Sequence, residues 1–563
     1  MGFWNRSNKT SDVDLQDITT TTDHEKNPHP EDGHPAVPDD ALPAEDVTEG
    51  VKDMEAITLV WTKSSLICLF IFIWLVYLLN AFQSSTVGNL VPYVTSTWGS
   101  HSLLNTIGVV ASSMTAAVFI PLAKLLDLWG RAEGYLLMVG FCELGLILMA
   151  TAKDLSTYCA ANVRNRNHML TIEANADATN LKNRALAYAF TSSPYMISAF
   201  AGSYASDRML SDIGWPWGFG TFAFITPVVC APLYLLLKIN LRKAKKNILP
   251  KKAILGVFLF AAGLVIFLLP FTIASTAPHG WSTGYIIAMI IVGFILLVGF
   301  ALNEVYFAPV PFLKFHFLTD RTLVGACLLD LTYQISYYCW NNYFTSFLQV
   351  VNYLTVAEAG YVNNTFNVVS GFLLFIVGWS IRKTGYFKWL LWVGVPLYIL
   401  AQGLMIYFRS PTGYVGYLVM CQVFISVGGS VFTICMQLAV LAAVDHQHVA
   451  AALAMLNVTG TAGGSIGDTI SGAIWTNTFE KALKMYLPAS ALENLDAIYG
   501  DLPTQLSYAR GTPERIAIQK AYGYAQTRML AAGTAIMALS FIWVALIRNL
   551  KVSEMRQTKG NVF

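Results

Sequence analysis

Four carboxylates stand inside long apolar stretches of this 563-residue chain, where a charged side chain is costly and marks a functional site. Asp330 lies about two helical turns into its apolar segment, and no basic residue neighbours it in the sequence. A carboxylate that gains and loses a proton at that depth could couple solute movement to a proton gradient. The alternative is a carboxylate that accepts a hydrogen bond from the next helix. The candidates for proton coupling are Asp330, Glu304, Glu143 and Asp468, of which Glu304 lies near the end of its segment and could reach water.

Aromatic and amide side chains recur at helical spacing in three of the apolar segments. Four aromatic residues between 333 and 344 follow one another at three- and four-residue steps, so a helix would place them on one face. Aromatic walls with amide donors would suit a large, polar, nearly neutral solute. The alternative is ordinary packing between helices, with polar side chains as links. The candidate substrate-binding residues are Tyr77, Asn80, Gln83, Tyr333, Tyr337, Trp340, Asn341, Asn342, Phe344, Asn363 and Asn367.

The composition indicates a polytopic membrane protein. Hydrophobic residues make up 55% of the chain and charged residues only 12%, about half the charged share of a soluble domain. The eight cysteines are scattered, with no spacing typical of a metal site or a disulfide framework. We therefore expect no metal and no cofactor. Because paired histidine clusters and nucleophile motifs are missing from the sequence, we do not expect an enzyme. We also expect no nucleic-acid partner.

Thirteen apolar segments are long enough, at about 20 residues, to cross a bilayer. They are residues 66–90, 103–123, 135–152, 185–206, 217–237, 253–275, 284–307, 322–348, 357–380, 388–407, 414–440, 449–473 and 527–548. Basic residues mark the cytoplasmic loops: residues 238–252 contain seven Lys or Arg and no acid, 382–388 contain three and 548–559 contain four. Residues 1–62 are polar and predict a disordered cytoplasmic tail.

The charge pattern does not fit thirteen spans. With the loop around residue 127 in the cytoplasm, the basic loop 238–252 falls on the outer face unless one more crossing lies between 153 and 183. Residues 164–177 hold two arginines, a histidine and two acidic residues, and each charge costs about 2.5–3.5 kcal/mol at a helix centre. The sequence therefore predicts fourteen spans, of which the fourth is missing or damaged at 153–183, through a defective gene model or a true lesion.

A short charged turn, PLAKLLDLWGRAEG at 121–134, separates the second and third apolar segments, and a diverged copy, GWSIRKTG, stands at 378–385. The first copy resembles the signature loop of the major facilitator superfamily, G-x-x-x-D-R/K-x-G-R/K, except at Ala123 and Leu128. Two related turns so far apart predict two similar halves. The alternative is that each turn is only a topogenic anchor. The residues assigned to this gating motif are Asp127, Gly130, Arg131, Gly378, Arg382, Lys383 and Gly385.

Five further stretches resemble the fungal siderophore–iron transporters of the same superfamily. They are residues 176–202, 306–312, 337–362, 463–479 and 485–526, and the resemblance extends from 61 to 551 except at 158–175. It implies import of intact ferric siderophores by proton symport, with the chelate, protons and the lipid bilayer as partners. It also implies a location in the plasma membrane or, alternatively, in an endosomal vesicle membrane. We expect a monomer.

These features together predict an all-α polytopic membrane protein with the major facilitator fold, built as two pseudo-symmetric six-helix halves plus two extra helices. The predicted regions are a tail at 1–62, an N-terminal half at 63–237, a basic linker with two extra spans at 238–320, part of a C-terminal half at 321–477, an extracellular loop at 478–526, and a last span with a cytoplasmic tail at 527–563. The loop contains Tyr486, Tyr499 and Tyr508 and is predicted to form short helices that cap the cavity and capture the chelate.

Small residues recur along the segment 449–473. Its glycines are Gly460, Gly463, Gly464, Gly467 and Gly472, and they fall on nearly one side of a helix. This pattern predicts close approach of a neighbouring helix, or bending during transport.

Two other functions, and the possibility that the chain is inactive, are open alternatives. A fourteen-span multidrug–proton antiporter typically carries G-P-x-x-G-G in its fifth span, whereas TSSPYMISAFAG here has Pro194 without those glycines. A nutrient sensor that binds a chelate without transporting it often has a long structured cytoplasmic extension, and this chain has a short polar tail. As written, the chain could also be inactive because of the lesion at 153–183.

Overall fold

The computed structural model describes residues 63–105, 107–109, 111–113, 115, 131–162, 181–244, 266, 282–302, 319–444 and 448–554. Its α-helices are α1 (Lys63–Ser96), α2 (Arg131–Ala150), α3 (Leu155–Asn162), α4 (Leu181–Ser192), α5 (Pro194–Arg208), α6 (Trp217–Ala244), α7 (Gly284–Leu302), α8 (Arg321–Asn341), α9 (Phe344–Val351), α10 (Val356–Thr384), α11 (Lys388–Phe408), α12 (Val415–Ala442), α13 (Val449–Tyr486), α14 (Leu495–Gly500), α15 (Leu502–Ser507), α16 (Pro513–Met537) and α17 (Ser540–Leu546). Within these residues no β-strand occurs. The predicted all-α architecture is confirmed.

Seven helical stretches among the described residues are long and apolar enough to cross a membrane, and the last of them combines α16 and α17. They are Lys63–Ser96, Ala132–Ala150, Trp217–Asn240, Val356–Thr384, Lys388–Phe408, Val415–Ala442 and Pro513–Leu546. α8 and α13 run through polar and small residues, which lowers their hydropathy, and Pro194 begins a new helix after α4. The tail 1–62, all but one residue of the predicted span at 253–275 and the end of the predicted span at 103–123 lie outside the described residues.

Two predicted boundaries differ from the structure. α13 continues to Tyr486 instead of ending at 473, and the last crossing begins at Pro513 instead of at 527. The hydroxyl of Thr512 accepts a 3.3 Å hydrogen bond from the backbone N–H of Arg515, which caps α16. The residues at the start of α16 are polar, so the hydropathy of the sequence did not predict that the last crossing begins this early. The predicted extracellular loop 478–526 therefore shortens to 487–512, which we call the connection.

The helices pack into two groups. In the first, α1 packs against α5 and α6, and α2 packs against α6. In the second, α8 packs against α13, α11 against α12, and α13 against α16. The groups meet where α10 packs against α4 and α5. They meet again where the second apolar segment, helical in its described part, reaches α13: Asn105 donates a 3.0 Å hydrogen bond to the Ser471 hydroxyl.

Glycines let α13 lie directly against α8. A Cβ on Gly463 would overlap the backbone at Leu331, and one on Gly467 would lie 2.9 Å from the Ile335 carbonyl oxygen. The close helix approach predicted from the small residues is confirmed. It places the carboxylates of α8 and α13 at one helix pair.

The first part of the predicted lesion at 153–183 is a packed helix. α3 contacts α2, and the buried ring of Tyr158 has its centroid 6.0 Å from that of Trp98 and 5.8 Å from that of Phe219. Helical structure resumes at Leu181 in α4. Residues 163–180 lie outside the described residues, so the damaged fourth span stays a prediction.

Candidate substrate cavity

A cavity of about 330 Å³ lies between the two groups of helices. Its walls come from α1, α5, α10, the adjoining ends of α8 and α9 with the break between them, and Leu104 of the second apolar segment. In the described part of the chain, none of the lining residues carries a charged side chain, and the polar groups are amides and hydroxyls. The asparagines are Asn89, Asn341, Asn342, Asn363, Asn364 and Asn367. Such a wall can form hydrogen bonds with a polar solute of little net charge.

Five of the predicted substrate-binding residues line this cavity. They are Tyr337, Asn341, Asn342, Asn363 and Asn367. The side-chain oxygens of Asn341 and Asn363 are buried and accept no hydrogen bond from the described residues. A buried polar atom without a partner is rare unless water or a ligand binds it. These two oxygens are therefore suited to accept hydrogen bonds from a molecule in the cavity.

The three predicted residues of α1 lie beside the cavity and not in its wall. Asn80 donates a 3.4 Å hydrogen bond to the hydroxyl of Tyr195, which does line the cavity. Tyr77 and Gln83 are buried among the helices. The wall on α1 begins at Ala81. A spacing of three residues drifts around a helix of 3.6 residues per turn, so the predicted set does not follow the cavity face.

The predicted aromatic face is present, but most of it faces away from the cavity. Ring centroids separate Tyr333 from Tyr337 by 6.4 Å, Tyr337 from Trp340 by 5.3 Å, and Trp340 from Phe344 by 6.2 Å. Trp340 donates its indole N–H to the Tyr398 hydroxyl at 3.1 Å, inside the second helix group. Of the four predicted residues, Tyr337 lines the cavity. Tyr333, Trp340 and Phe344 support the wall from behind.

Two candidate carboxylates lie where α8 and α13 pack together. Asp330 is 7% exposed, accepts a 3.4 Å hydrogen bond from Gln334, and occupies space that a Cβ on Gly460 would fill. Asp468 is 2% exposed and accepts a 2.8 Å hydrogen bond from the amide of Asn342. Because Asn342 lines the cavity, Asp468 is one hydrogen bond away from it.

Asn342 and Asp468 belong to a polar cluster between the helix groups, which we call the α13 cluster. The amide of Asn342 also donates at 2.9 Å to the Ser471 hydroxyl, to which Asn105 donates as well. A Cβ on Gly108 would overlap the carboxylate of Asp468. The cluster therefore joins α8, α13 and the second apolar segment around a carboxylate.

A second polar cluster, the α10 cluster, joins α1, α5 and α10. Asn89 donates to the Ser203 hydroxyl at 3.3 Å, and Asn364 donates to Ser203 and Ser85 at 3.1 Å each. Asn367 donates to the side-chain oxygen of Asn364 at 2.8 Å. These bonds join amides and hydroxyls. Sequence reasoning missed Asn89 and Ser203, although the row of hydroxyl residues along α5 was an available signal.

The other candidate carboxylates lie away from the cavity or outside the described residues. Both carboxylate oxygens of Glu143, on α2, are buried and accept no hydrogen bond from the described residues. α2 packs against α3 and α6, and none of its residues is in the cavity wall. Glu304, Asp127 and Gly130 lie outside the described residues, and Arg131 is the first residue of α2.

The second charged turn lies at the end of α10, one of the helices that joins the two groups. A Cβ on Gly378 would lie 3.2 Å from the backbone of Ala185 in α4, so glycine permits this close contact. Arg382 and Lys383 are exposed in the last turn of α10. Gly385 ends the helix with a φ of 75°, which favours glycine.

The connection 487–512 ties one end of the bundle together. Ser102 donates its hydroxyl to the Tyr499 carbonyl at 2.6 Å, and the backbone N–H of Leu502 donates to the Ser96 hydroxyl at 3.0 Å. Tyr343, at the break between α8 and α9, donates to the Ser102 carbonyl at 2.8 Å. The turn after α1 is thus held by both the connection and the break.

The predicted capture residues have different surroundings. Tyr499 takes part in the contact with Ser102. The hydroxyl of Tyr508 accepts a 3.2 Å hydrogen bond from Asn494 within the connection, and Tyr486 is exposed at the end of α13. The short helices predicted for this region are present, and the capture role stays a prediction.

His101 is wholly buried in the turn between α1 and the second apolar segment. Its ring meets that of Tyr343 edge-on, with 5.8 Å between the centroids. Burial lowers the pKa of His101 to about 4, although the carboxylate of Asp501 and the Pro92 carbonyl both favour the protonated form. The side chain is therefore neutral near pH 7 in this arrangement.

Comparison with known proteins identifies related sequences along almost the whole chain. Residues 73–468 match the family model described as Major Facilitator Superfamily. The chain is 57% identical over 550 residues to the siderophore iron transporter mirB of Emericella nidulans, covering 93% of this chain and 91% of that protein. It is 56% identical over 549 residues to MFS siderochrome iron transporter B of Aspergillus fumigatus, covering 93% and 89%.

Among solved structures, the crystal structure of the human organic anion transporter MFSD10 (TETRAN) aligns with a TM-score of 0.52 at 12% identity. The alignment covers 85% of this chain and 99% of that chain. At this identity the likeness concerns the fold alone. The predicted major facilitator fold is confirmed.

Proposed function

The chain belongs to the siderophore iron transporter family of the major facilitator superfamily, and on that premise we propose that it imports ferric siderophore chelates by proton symport. The cargo binds in the cavity, which opens alternately to the two sides of the membrane. The plasma membrane is the proposed location, with an endosomal vesicle membrane as the alternative. The proposed working form is a monomer.

The chemistry of the cavity wall supports this class of cargo. A ferric siderophore encloses its iron and presents amide, carbonyl and hydroxyl groups to its surroundings. Asparagine side chains match such groups as both donors and acceptors. The buried oxygens of Asn341 and Asn363 are acceptors that the described protein leaves unused, and Tyr337 adds an aromatic surface with a hydroxyl.

Asp468 is the proposed proton-coupling residue, and this choice depends on its hydrogen bond to Asn342. The bond links the carboxylate to the cavity wall, and the α13 cluster links it to both helix groups. Protonation replaces an acceptor oxygen with a donor O–H, which weakens the bond from the Asn342 amide. Binding of a proton can thus change both the wall and the contact between the groups. Asp330, which accepts from Gln334 on its own helix, is the second candidate.

The test is iron-limited growth of a fungal cell that lacks its own chelate importers, supplied with one purified siderophore at a time. This reading frame and a version with the fourth span restored are expressed in parallel, and sequencing the transcript across 157–182 shows which is natural. At least one siderophore should restore growth, and its uptake should carry protons inward. Absence of growth with every siderophore, although both proteins reach the plasma membrane, would contradict the proposal.

A further inference from the structure

The helix pair α8 and α9 is broken between Asn341 and Phe344. Asn342 is extended, and Tyr343 has a φ of 57°, in the left-handed region. The break removes the regular i to i+4 partners from carbonyl groups at its edges. Within a membrane those carbonyls need protein donors, because no bulk water reaches them.

Arg409, which follows α11, supplies one of these donors. Its side chain is 0% exposed, and its Nη1 donates to the Trp340 carbonyl at 2.6 Å and to Gln526 Oε1 at 2.7 Å. Gln526 in turn donates to the Asn342 carbonyl at 3.2 Å. The guanidinium also lies 4.1 Å from the centroid of the Phe344 ring. Arg409 and Gln526, which we call the clamp, therefore bond two carbonyls that precede Tyr343, and Arg409 also packs against the first ring of α9.

A counter-ion does not account for the burial of Arg409. The ion pairs found among the described residues join Lys238 to Glu133, Lys484 to Glu480, and Arg548 to Asp320. Burying a cation without a counter-ion is costly, so its hydrogen bonds and ring contact have to offset that cost. The planar guanidinium donates to two acceptors and stacks its flat face on a ring, and a lysine ammonium has no flat face to stack.

Five residues at the break line the cavity: Asn341, Asn342, Tyr343, Thr345 and Ser346. The side-chain oxygens of Asn341 and Ser346 are buried without a hydrogen-bond partner among the described residues. We propose that Arg409 is a positioning residue for the cargo: it fixes the break so that Asn341 and Ser346 present these oxygens to the cavity. The proposal rests on the proposed function only for the identity of the cargo.

The first test compares the uptake kinetics of Arg409→Lys, Asn341→Ala and the double variant, each scaled to protein at the cell surface. Arg409→Lys should raise KM about tenfold, the cost of a lost charge-assisted hydrogen bond, with the maximal rate within about twofold. The KM of the double variant should rise by less than the product of the two single effects, because both changes remove the Asn341 contact. If Arg409 had only a structural role, Arg409→Lys would lower the amount of protein at the surface or the maximal rate and leave KM unchanged. Independent effects of the two substitutions on the KM of the double variant would also overturn the proposal.

Arg528→Lys is the matched control. Arg528 is on α16, the helix that carries Gln526, but it is exposed, lies over the Tyr524 ring at 3.5 Å and donates to the Tyr524 carbonyl in its own helix. The same chemical change there should leave KM unaltered.

A second measurement needs no cargo and no transport. A Ser346→Cys protein should react with a small permeant maleimide through the cavity, and Arg409→Lys should slow that reaction at least about threefold as the break turns. Gln526→Glu keeps the acceptor for Arg409 and loses the donor to Asn342, so it should also slow the labelling, but by less. This variant replaces Arg409→Lys in the test if Arg409→Lys fails to assemble. Unchanged labelling in the variant that assembles overturns the clamp. If the parent protein takes up no siderophore but the variants still change the labelling rate, the proposed function is contradicted and the clamp is not.

Discussion

On the α13 side of the cavity the helix groups meet around the carboxylate of Asp468, which accepts from Asn342. On the α10 side they meet through the amides of Asn89 and Asn364, which share the hydroxyl of Ser203. Both contacts are buried and both link three helical segments. The difference is that one cluster contains a group that titrates and the other consists of amides and hydroxyls.

This difference assigns different tasks to the two contacts. Amide–hydroxyl bonds keep the same donors and acceptors at every physiological pH, whereas a carboxylate changes from acceptor to donor when it binds a proton. A proton can therefore loosen the α13 cluster while the α10 cluster stays as it was. We expect the α10 side to act as a constant pivot and the α13 side to act as the variable contact.

The largest expected effect is that of Asp468→Asn. The amide keeps the size of the side chain but cannot exchange a proton, so proton-driven uptake should fall about 100-fold, near the upper end of typical coupling energies. Exchange of labelled for unlabelled chelate across the membrane should stay within about threefold, because it needs no net proton movement. Loss of proton-driven uptake in Asp330→Asn, with Asp468→Asn unaffected, would move the variable contact to Asp330.

A matched pair of glycine substitutions tests the two sides separately. The Cβ of Gly108→Ala would overlap the Asp468 carboxylate, and that of Gly360→Ala would lie 2.5 Å from the Ser203 hydroxyl. Each should cost about 1–3 kcal/mol of stability through overpacking, read from thermal unfolding in detergent. Only Gly108→Ala should also shift the pH profile of uptake. An equal shift in both variants would remove the distinction between the clusters.

Protonation of His101 should open the end of the bundle that the connection covers. The pKa of His101 is about 4 in this arrangement, against about 6.5 for an exposed histidine. Since the pKa is lowered in the closed form, the stability of that form is complete above pH 6.5 and falls as the pH drops toward 4. The ratio of open to closed forms should rise about tenfold between pH 8 and pH 5.5.

Thiol labelling with a membrane-permeant reagent measures this opening. Leu502→Cys places the thiol at a fully buried position of the connection, and Glu493→Cys, at an exposed position, corrects for the chemistry of the reagent. The corrected rate should rise with acid in the parent protein and stay flat in His101→Gln. An acid response that persists in His101→Gln would assign the opening to another group.

The smallest expected effect is that of Ser203→Ala in the α10 cluster. Asn89 retains the Ser206 hydroxyl at 3.3 Å, and Asn364 retains Ser85. Stability should therefore fall by only about 1 kcal/mol, and the pH profile of uptake should not move. A changed pH profile would show that the pivot also responds to protons.

Features that depend on spacing within one segment could be predicted from the sequence. The all-α fold follows from hydropathy, the row of rings from Tyr333 to Phe344 follows from helical periodicity, and the close approach at Gly463 follows from small residues on one side. The direction in which the rings point could not be predicted, because Tyr398 and its neighbours on other segments determine it.

The break at Tyr343 shows why the rest of the site escaped sequence reasoning. The surrounding residues predict one continuous helix, and the left-handed conformation is held by distant partners. The Ser102 carbonyl accepts from the Tyr343 hydroxyl, and the clamp of Arg409 and Gln526 bonds the carbonyls of Trp340 and Asn342. The same holds for Asn89, which becomes a site residue only because α5 and α10 bring hydroxyls and amides to it.

The uncharged wall of the cavity has a consequence for the electrical behaviour of the carrier. Moving one elementary charge through a membrane potential of 100 mV involves about 2.3 kcal/mol of work. A neutral chelate surrounded by neutral amides and hydroxyls would cross without any such work. The voltage would then act on the accompanying proton alone, and the current per chelate would count the protons carried with it.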